Sequence, residues 1–86
     1  MPTEKARVTF YTRKGCHLCE EAKAEMLAAG DRDLYLLEEV DIDQDPALVA
    51  RYGTEIPVVA IDGTIVFKYR LTAAEFRRQL RQPRPF

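Results

Sequence analysis

Residues 8–26 read VTFYTRKGCHLCEEAKAEM, and this stretch holds both cysteines of an 86-residue chain, Cys16 and Cys19. Arg7-Val8-Thr9-Phe10-Tyr11 alternates and is rich in β-formers, the pattern of a strand. From His17 to about Ala29, Cys19, Ala22, Met26 and Ala29 recur at helical spacing, and Gly30 stands where such a helix stops. The cysteines therefore lie at the joint between a strand and a helix. Packing, metal binding and redox exchange are the three uses to weigh for them.

Outward from that joint the remaining elements follow in order. Leu34 to Asp41 reads as a second strand, and Glu38 and Glu39 suit an exposed edge. Asp45-Pro46 supplies an N-cap and a first-turn proline, Leu48, Val49 and Tyr52 form an apolar stripe, and Gly53 ends the short helix. Pro57-Val58-Val59-Ala60-Ile61 is a continuous apolar run, as in a strand buried on both faces. Asp62-Gly63 is a two-residue hairpin signal leading into Thr64-Ile65-Val66-Phe67-Lys68-Tyr69. Thr72-Ala73-Ala74-Glu75 is a capping box, with Leu71 and Phe76 as its hydrophobic staple. Phe76 and Leu80 should then face inward, Arg77, Arg78 and Arg81 should face water, and residues 82–86 form a tail. The first βαβ unit must be parallel and right-handed, while the hairpin adds an antiparallel pair. Residues 1–86 thus predict a single α/β domain of order β-α-β-α-β-β-α, a four-stranded mixed sheet flanked by three helices.

Charge narrows the partners. The net charge of −1 argues against nucleic acid, although residues 31–62 carry nine acids and two bases and residues 68–86 six bases and one acid. The basic end reads as a solvated helix face and tail, with an anionic ligand as the alternative. No apolar run approaches the roughly 20 residues that span a bilayer, Met1 to Arg7 is too polar for a signal peptide, and no lipidation box is present. No membrane association is expected, and the expected compartment is the cytoplasm. Structural disulfides are rare there, and a close cysteine pair is more often catalytic or metal-binding.

Three residues apart, Cys16 and Cys19 share one side of a helix. Cys19 continues the stripe of Ala22, Met26 and Ala29 and should be buried. Cys16 falls at the helix tip, where N–H groups lack intrahelical partners and the macrodipole is positive. Gly15 leaves room around it, Arg13 and Lys14 add positive charge, and Glu20 and Glu21 oppose from deeper along the helix. Cys16 is thus the expected nucleophile and Cys19 the resolving thiol. A fall in pKa from about 8.5 to about 6.5 raises the thiolate fraction at pH 7 from about 3% to about 76%, but makes each thiolate about 10-fold less nucleophilic. Attack gains only about 2- to 3-fold. The larger effect is that Cys16 becomes a better leaving group, so that mixed disulfides resolve quickly.

Plainer roles compete with these. Cys19 alone would read as a small core residue. His17, the only histidine, reads as a solvent-facing residue, or as one whose charge change near pH 6.5 alters the local field. Tyr11 and Tyr52 read first as packing residues. Asp41, Asp43 and Asp45 alternate as in a calcium loop but lack its glycine and glutamate, which leaves capping and turn roles. Two cysteines and one histidine fall short of the four ligands of zinc or an iron–sulfur cluster. A homodimer or glutathione could complete the set, and this cluster-binding module is the alternative to exchange. An interaction domain with an idle dithiol is a third reading.

The segments YTRKGCHLCEEAK, EEVDIDQDPALVARYG and EIPVVAIDGT, with the short final helix, carry a resemblance over residues 6–81 to glutaredoxin-like proteins of the thioredoxin superfamily, above all to families with a Cys-His-Leu-Cys site. The resemblance implies a thioredoxin-like fold. It implies a thiol–disulfide oxidoreductase that exchanges the Cys16–Cys19 dithiol with protein or low-molecular-weight disulfides. A thioredoxin-reductase-like enzyme or glutathione would regenerate it, with no bound cofactor. It further implies a cis Pro57 facing the dithiol, an Ile56 backbone that pairs with an extended substrate segment, and a Tyr11 ring beside the site. Glutaredoxins proper carry Pro-Tyr or Pro-Phe between the cysteines, where His17-Leu18 stands here. They also hold the γ-glutamyl end of glutathione with a Gly-Gly turn and an acid, where this chain has Lys68-Tyr69-Arg70-Leu71-Thr72. Lys14, Arg70 and the Ile56 backbone are the remaining candidates for holding a substrate carboxylate. Nothing demands more than a monomer.

Overall fold

Residues 5–82 are described by a computed structural model. Strands β1 (Ala6–Thr12), β2 (Tyr35–Asp41), β3 (Val58–Ile61) and β4 (Thr64–Lys68) form one sheet in the order β2-β1-β3-β4. With helices α1 (His17–Ala29), α2 (Pro46–Tyr52) and α3 (Ala73–Arg81), the chain follows the expected β-α-β-α-β-β-α order. β1 runs parallel to β2 and antiparallel to β3, and β3 pairs antiparallel with β4. β2 is an edge strand, where its paired glutamates can stay wet. Among the described residues no helix is long and apolar enough to cross a membrane.

Strand ends differ from expectation where the backbone leaves the extended region. Leu34 belongs to a 3-10 turn, Arg32–Leu34, entered through a left-handed Asp31. Pro57 precedes β3, having no N–H to give to a ladder. Tyr69 falls beyond β4 because its φ is +71°. The hairpin is as expected: Asp62 and Gly63 both have positive φ, the requirement of a tight two-residue turn. The tail expected over residues 82–86 lies, beyond Gln82, outside the described residues.

Alternation along the strands builds two layers. Val8 and Phe10 of β1 and Val59 and Ile61 of β3 point to one face, where they meet Cys19, Ala22, Met26 and Ala29 of α1 and Leu71 and Phe76 of the α3 region. Val58 and Ala60 are buried on the other face, where the Tyr11 ring stacks 4.6 Å from Tyr52 of α2. β3 is therefore covered on both sides, which is why it reads as an unbroken apolar run.

Aspartates organise the approach to α2 by capping. Asp41 accepts from the Asp43 N–H and Asp45 from the Ala47 N–H, each at 2.9 Å. In the capping box of α3, Thr72 Oγ1 accepts from the Glu75 N–H and donates to the Glu75 carboxylate, both at 3.2 Å. The return arm thus ends on the hydroxyl and not on the Thr72 amide.

α1 and α3 lie side by side in the same direction, and polar contacts bind them at three levels. The Ala73 N–H donates to Glu25 Oε1 at 2.8 Å, Arg77 donates to the Ala29 carbonyl at 3.0 Å, and Arg81 pairs with Asp31 at 2.9 Å. Of the three arginines expected to face water, Arg78 and Arg81 are exposed, whereas Arg77 is half-buried and donates to α1. Arg77 in particular satisfies a carbonyl at the end of α1, where a helix has no internal donor left.

Phe76 is fully buried and meets Tyr35 edge-on at 5.3 Å between ring centroids. Phe76→Ala is expected to cost about 3–5 kcal/mol, read as a lower urea midpoint at an unchanged slope. A loss under about 1 kcal/mol would contradict this placement of the core.

Candidate functional site

β1 delivers the chain to one end of the sheet, and Arg13–Gly15 turn it into α1. Gly15 has φ +78°, and a Cβ built there would meet nothing within 4 Å. The glycine is needed for its left-handed backbone, not for the room expected of it. The turn closes as the Cys16 N–H donates to the Arg13 carbonyl at 3.3 Å. Cys16 is extended (φ −85°, ψ 104°) and is the N-cap of α1. Its Sγ accepts from the Cys19 N–H at 3.1 Å, so a sulfur occupies the place usually taken by a Ser, Thr or Asp oxygen. Cys16 and Cys19 are joined in a disulfide, with Cα atoms 5.2 Å apart. Cys16 is half-buried, whereas Cys19 is only 2% exposed beneath α1. One sulfur is open to attack and the other is sheltered behind it.

Strand register brings other expected residues to the same end. Tyr11 pairs with Val58 across β1 and β3, which sets Pro57 alongside Thr12, three residues before Gly15. The Ile56–Pro57 bond is cis, Pro57 is fully buried, and its carbonyl accepts from the Tyr69 N–H at 2.9 Å. Ile56 packs against the same core as Cys16. Its N–H, however, donates to the Tyr52 carbonyl at 3.1 Å, beside a second bond from Glu55 at 2.8 Å. The end of α2 has thus claimed the Ile56 amide, so of the two backbone groups that the resemblance offers to a substrate only the carbonyl is not held by Tyr52. Lys14 and Arg70 are exposed at this end, and among the described residues neither has a carboxylate partner.

Tyr11 takes the packing role first expected of it. Alternation directs it to the α2 face, and its ring rests on Tyr52 at 4.6 Å with an interplanar angle of 33°. Burial there, reinforced by Tyr52, raises the Tyr11 phenol above its ordinary pKa. The Arg51 guanidinium lies 5.4 Å from the Tyr52 ring centre, extending the stack.

Charge around the site is largely paired. His17 is 81% exposed, and its Nε2 stands 3.0 Å from Glu21 Oε2. Lys68 holds Glu55 at 3.1 Å and Lys23 holds Glu39 at 2.7 Å. Arg13 grips Asp43 with two N–H groups, one at 2.5 Å and one at 3.3 Å. Those hydrogen bonds hold the Asp43 carboxyl below its ordinary pKa and raise that of Arg13. The pair ties the turn before Cys16 to the 3-10 turn Ile42–Gln44.

Two features had no signal in the sequence. Tyr69, left-handed and 48% exposed, holds a conformation that costs a bulky residue energy. With Arg70 and Leu71 it forms one side of a groove of about 390 Å³, whose other side is Leu18, Glu21 and Glu25 of α1. Among the described residues, no group of three or more His, Cys, Asp or Glu side chains is arranged to hold a metal ion.

A four-stranded mixed sheet, with a Cys-x-x-Cys pair opening α1 and a cis-proline at the head of β3, defines the thioredoxin fold. A mutant thioredoxin from Halobacterium salinarum superposes with a TM-score of 0.64 over 90% of this chain and 73% of its own, at 15% identity, a likeness of fold. Closer in sequence are the X-ray structure of structural genomics target XcR50 from X. campestris and the solution structure of Ne2328 from Nitrosomonas europaea. The first is 30% identical at TM-score 0.73, covering 85% of this chain and 93% of its own. The second is 26% identical at TM-score 0.74, covering 92% and 95%. A curated relative, the glutaredoxin-like protein YDR286C homolog of Dictyostelium discoideum, is 34% identical over 70 residues, 74% of this chain. The match spans 65% of that relative's length. Residues 7–81 match the glutaredoxin-like domain (DUF836), and the chain belongs to that family.

The Arg13–Asp43 link yields a pH test. A carboxyl with a lowered folded pKa contributes stability that is present above its unfolded value and lost as pH falls through the folded one. Arg13→Ala should return the Asp43 midpoint to about 3.8, followed by carboxyl NMR. The stability gap between wild type and variant should be present at pH 7 and close as pH falls through the wild-type midpoint. An unmoved midpoint would contradict the link.

Proposed function

We propose that this glutaredoxin-like chain is a thiol–disulfide oxidoreductase acting through a Cys16–Cys19 dithiol. The observation that carries the reading is the Cys19 N–H donating to Cys16 Sγ at 3.1 Å. In the reduced protein that amide, with the positive end of α1, stabilises a thiolate on Cys16. The thiolate attacks one sulfur of a substrate disulfide, and the other substrate sulfur leaves as a thiolate that takes a proton from water. Cys19 then loses its proton and attacks Cys16 Sγ, the mixed disulfide breaks, and the second substrate thiol departs. Two electrons have moved from the dithiol to the substrate, leaving the Cys16–Cys19 disulfide.

The burial difference supports this division of roles, because a bulky disulfide reaches Cys16 and not Cys19. The substrate is a disulfide in a protein or a low-molecular-weight thiol compound. Its backbone donates to the Ile56 carbonyl at the buried cis Pro57, with the exposed Lys14 and Arg70 on the rim. Tyr11 supports this end of the sheet through Tyr52. A thioredoxin-reductase-like enzyme or two equivalents of a low-molecular-weight thiol return the disulfide to the dithiol, and the chain works as a monomer in the cytoplasm without a bound cofactor.

Cys16→Ser should lower disulfide reduction to the uncatalysed rate. Cys19→Ser should retain the first attack and accumulate a mixed disulfide on Cys16, visible as a mass increase equal to one substrate thiol. Faster alkylation of Cys19 than of Cys16 by iodoacetamide in the folded, reduced protein would overturn the assignment.

A further inference from the structure

The groove between α1 and the β4–α3 connection begins at Leu18, between the two cysteines, and encloses about 390 Å³. Groups flanking a disulfide engaged at Cys16 are therefore carried to its mouth. Its far end is the N-terminus of α3, where unpaired amides and the helix dipole ordinarily favour an incoming carboxylate. Here that place is taken. Glu25 Oε1, part-buried on the α1 wall, accepts the Ala73 N–H at 2.8 Å. The attraction that the helix end offers is satisfied internally, and the negative charge of Glu25 remains in the groove. Glu21 adds a second carboxylate on the same wall, its Oε2 3.0 Å from His17 Nε2. On the opposite rim stands Arg70, exposed and so more strongly screened by salt than a part-buried charge.

We propose that Glu25 makes this groove reject carboxylate-bearing small disulfides and admit uncharged or cationic segments beside the reacting sulfur. Glu25 is then a specificity-determining residue for the exchange reaction, on which the functional meaning of the proposal rests. Its carboxylate does no chemistry on the disulfide. It sets which flanking groups can lie in the groove while Cys16 reacts.

The test uses S-methylglutathione, which has two carboxylates and forms no bond to sulfur, and its diethyl ester, which has none. Both are titrated into the oxidised protein and followed by amide shifts at Leu18, Glu25 and Arg70. Glu25→Gln keeps an acceptor for the Ala73 N–H and removes the charge. It should tighten S-methylglutathione, a net monoanion, about 5-fold and weaken the ester, which keeps its α-ammonium and is a cation. In the wild-type protein, added salt should strengthen S-methylglutathione binding, because screening weakens a repulsion. Equal affinities for S-methylglutathione in wild type and variant, equal tightening of both probes, or weaker wild-type binding with salt would each overturn the proposal. The last result would mean that Arg70 and Lys14 dominate. Because neither probe reacts, these outcomes stand whether or not Cys16→Ser abolishes exchange.

Discussion

A sulfur atom caps α1. The contact from the Cys19 amide to Cys16 Sγ joins local folding to the proposed chemistry, because the donor that begins the helix also bears on the charge of the proposed nucleophile. The supports of that contact are spread through the chain. Gly15 supplies the left-handed turn that aims Cys16 back at the helix. Ala22, Met26 and Ala29 anchor α1 on Val8, Phe10, Val59 and Ile61, so the helix end cannot drift from the sheet. Cys19 belongs to that same buried stripe, which separates the two sulfurs in exposure though they are three residues apart.

The uneven charge of the sequence is consumed inside the fold. Acids between residues 31 and 62 cap turns at Asp41 and Asp45, hold Arg13 through Asp43, and pair with Lys23 and Lys68 through Glu39 and Glu55. Basic residues near the other end fasten α3 to α1 through Ala29 and Asp31. What looked like an acidic half and a basic half is a set of links between them. Such exposed pairs contribute little stability singly. Their consequence is positional: the turn before Cys16, the cis-proline segment and the C-terminal end of α3 are each held by one of them.

Much of the architecture was legible because periodicity and turn chemistry are local signals. The α1 stripe, the continuous β3 run, the Asp62-Gly63 turn and the staple of Leu71 and Phe76 were readable from residues a few positions apart. The cysteine pair was legible for the same reason, since spacing and the helix start placed both sulfurs. Contacts across the chain left no such trace. Glu25 reaches Ala73 over 48 positions and Arg13 reaches Asp43 over 30, and neither pair has a period. The positive φ of Tyr69 was invisible because a tyrosine carries no marker for it, unlike glycine or asparagine. A family resemblance offers the Ile56 backbone to substrate, and only the fold shows that the Tyr52 carbonyl already holds its amide.

Direct titration of the Cys16 thiol in the reduced protein, by the ultraviolet absorbance of the thiolate with Cys19→Ser as the control for assignment, tests the central claim most directly. The capped geometry predicts a midpoint below about 7.5. A midpoint at the ordinary thiol value of about 8.5 would contradict it, leaving the sulfur at the head of α1 a structural cap with no consequence for exchange.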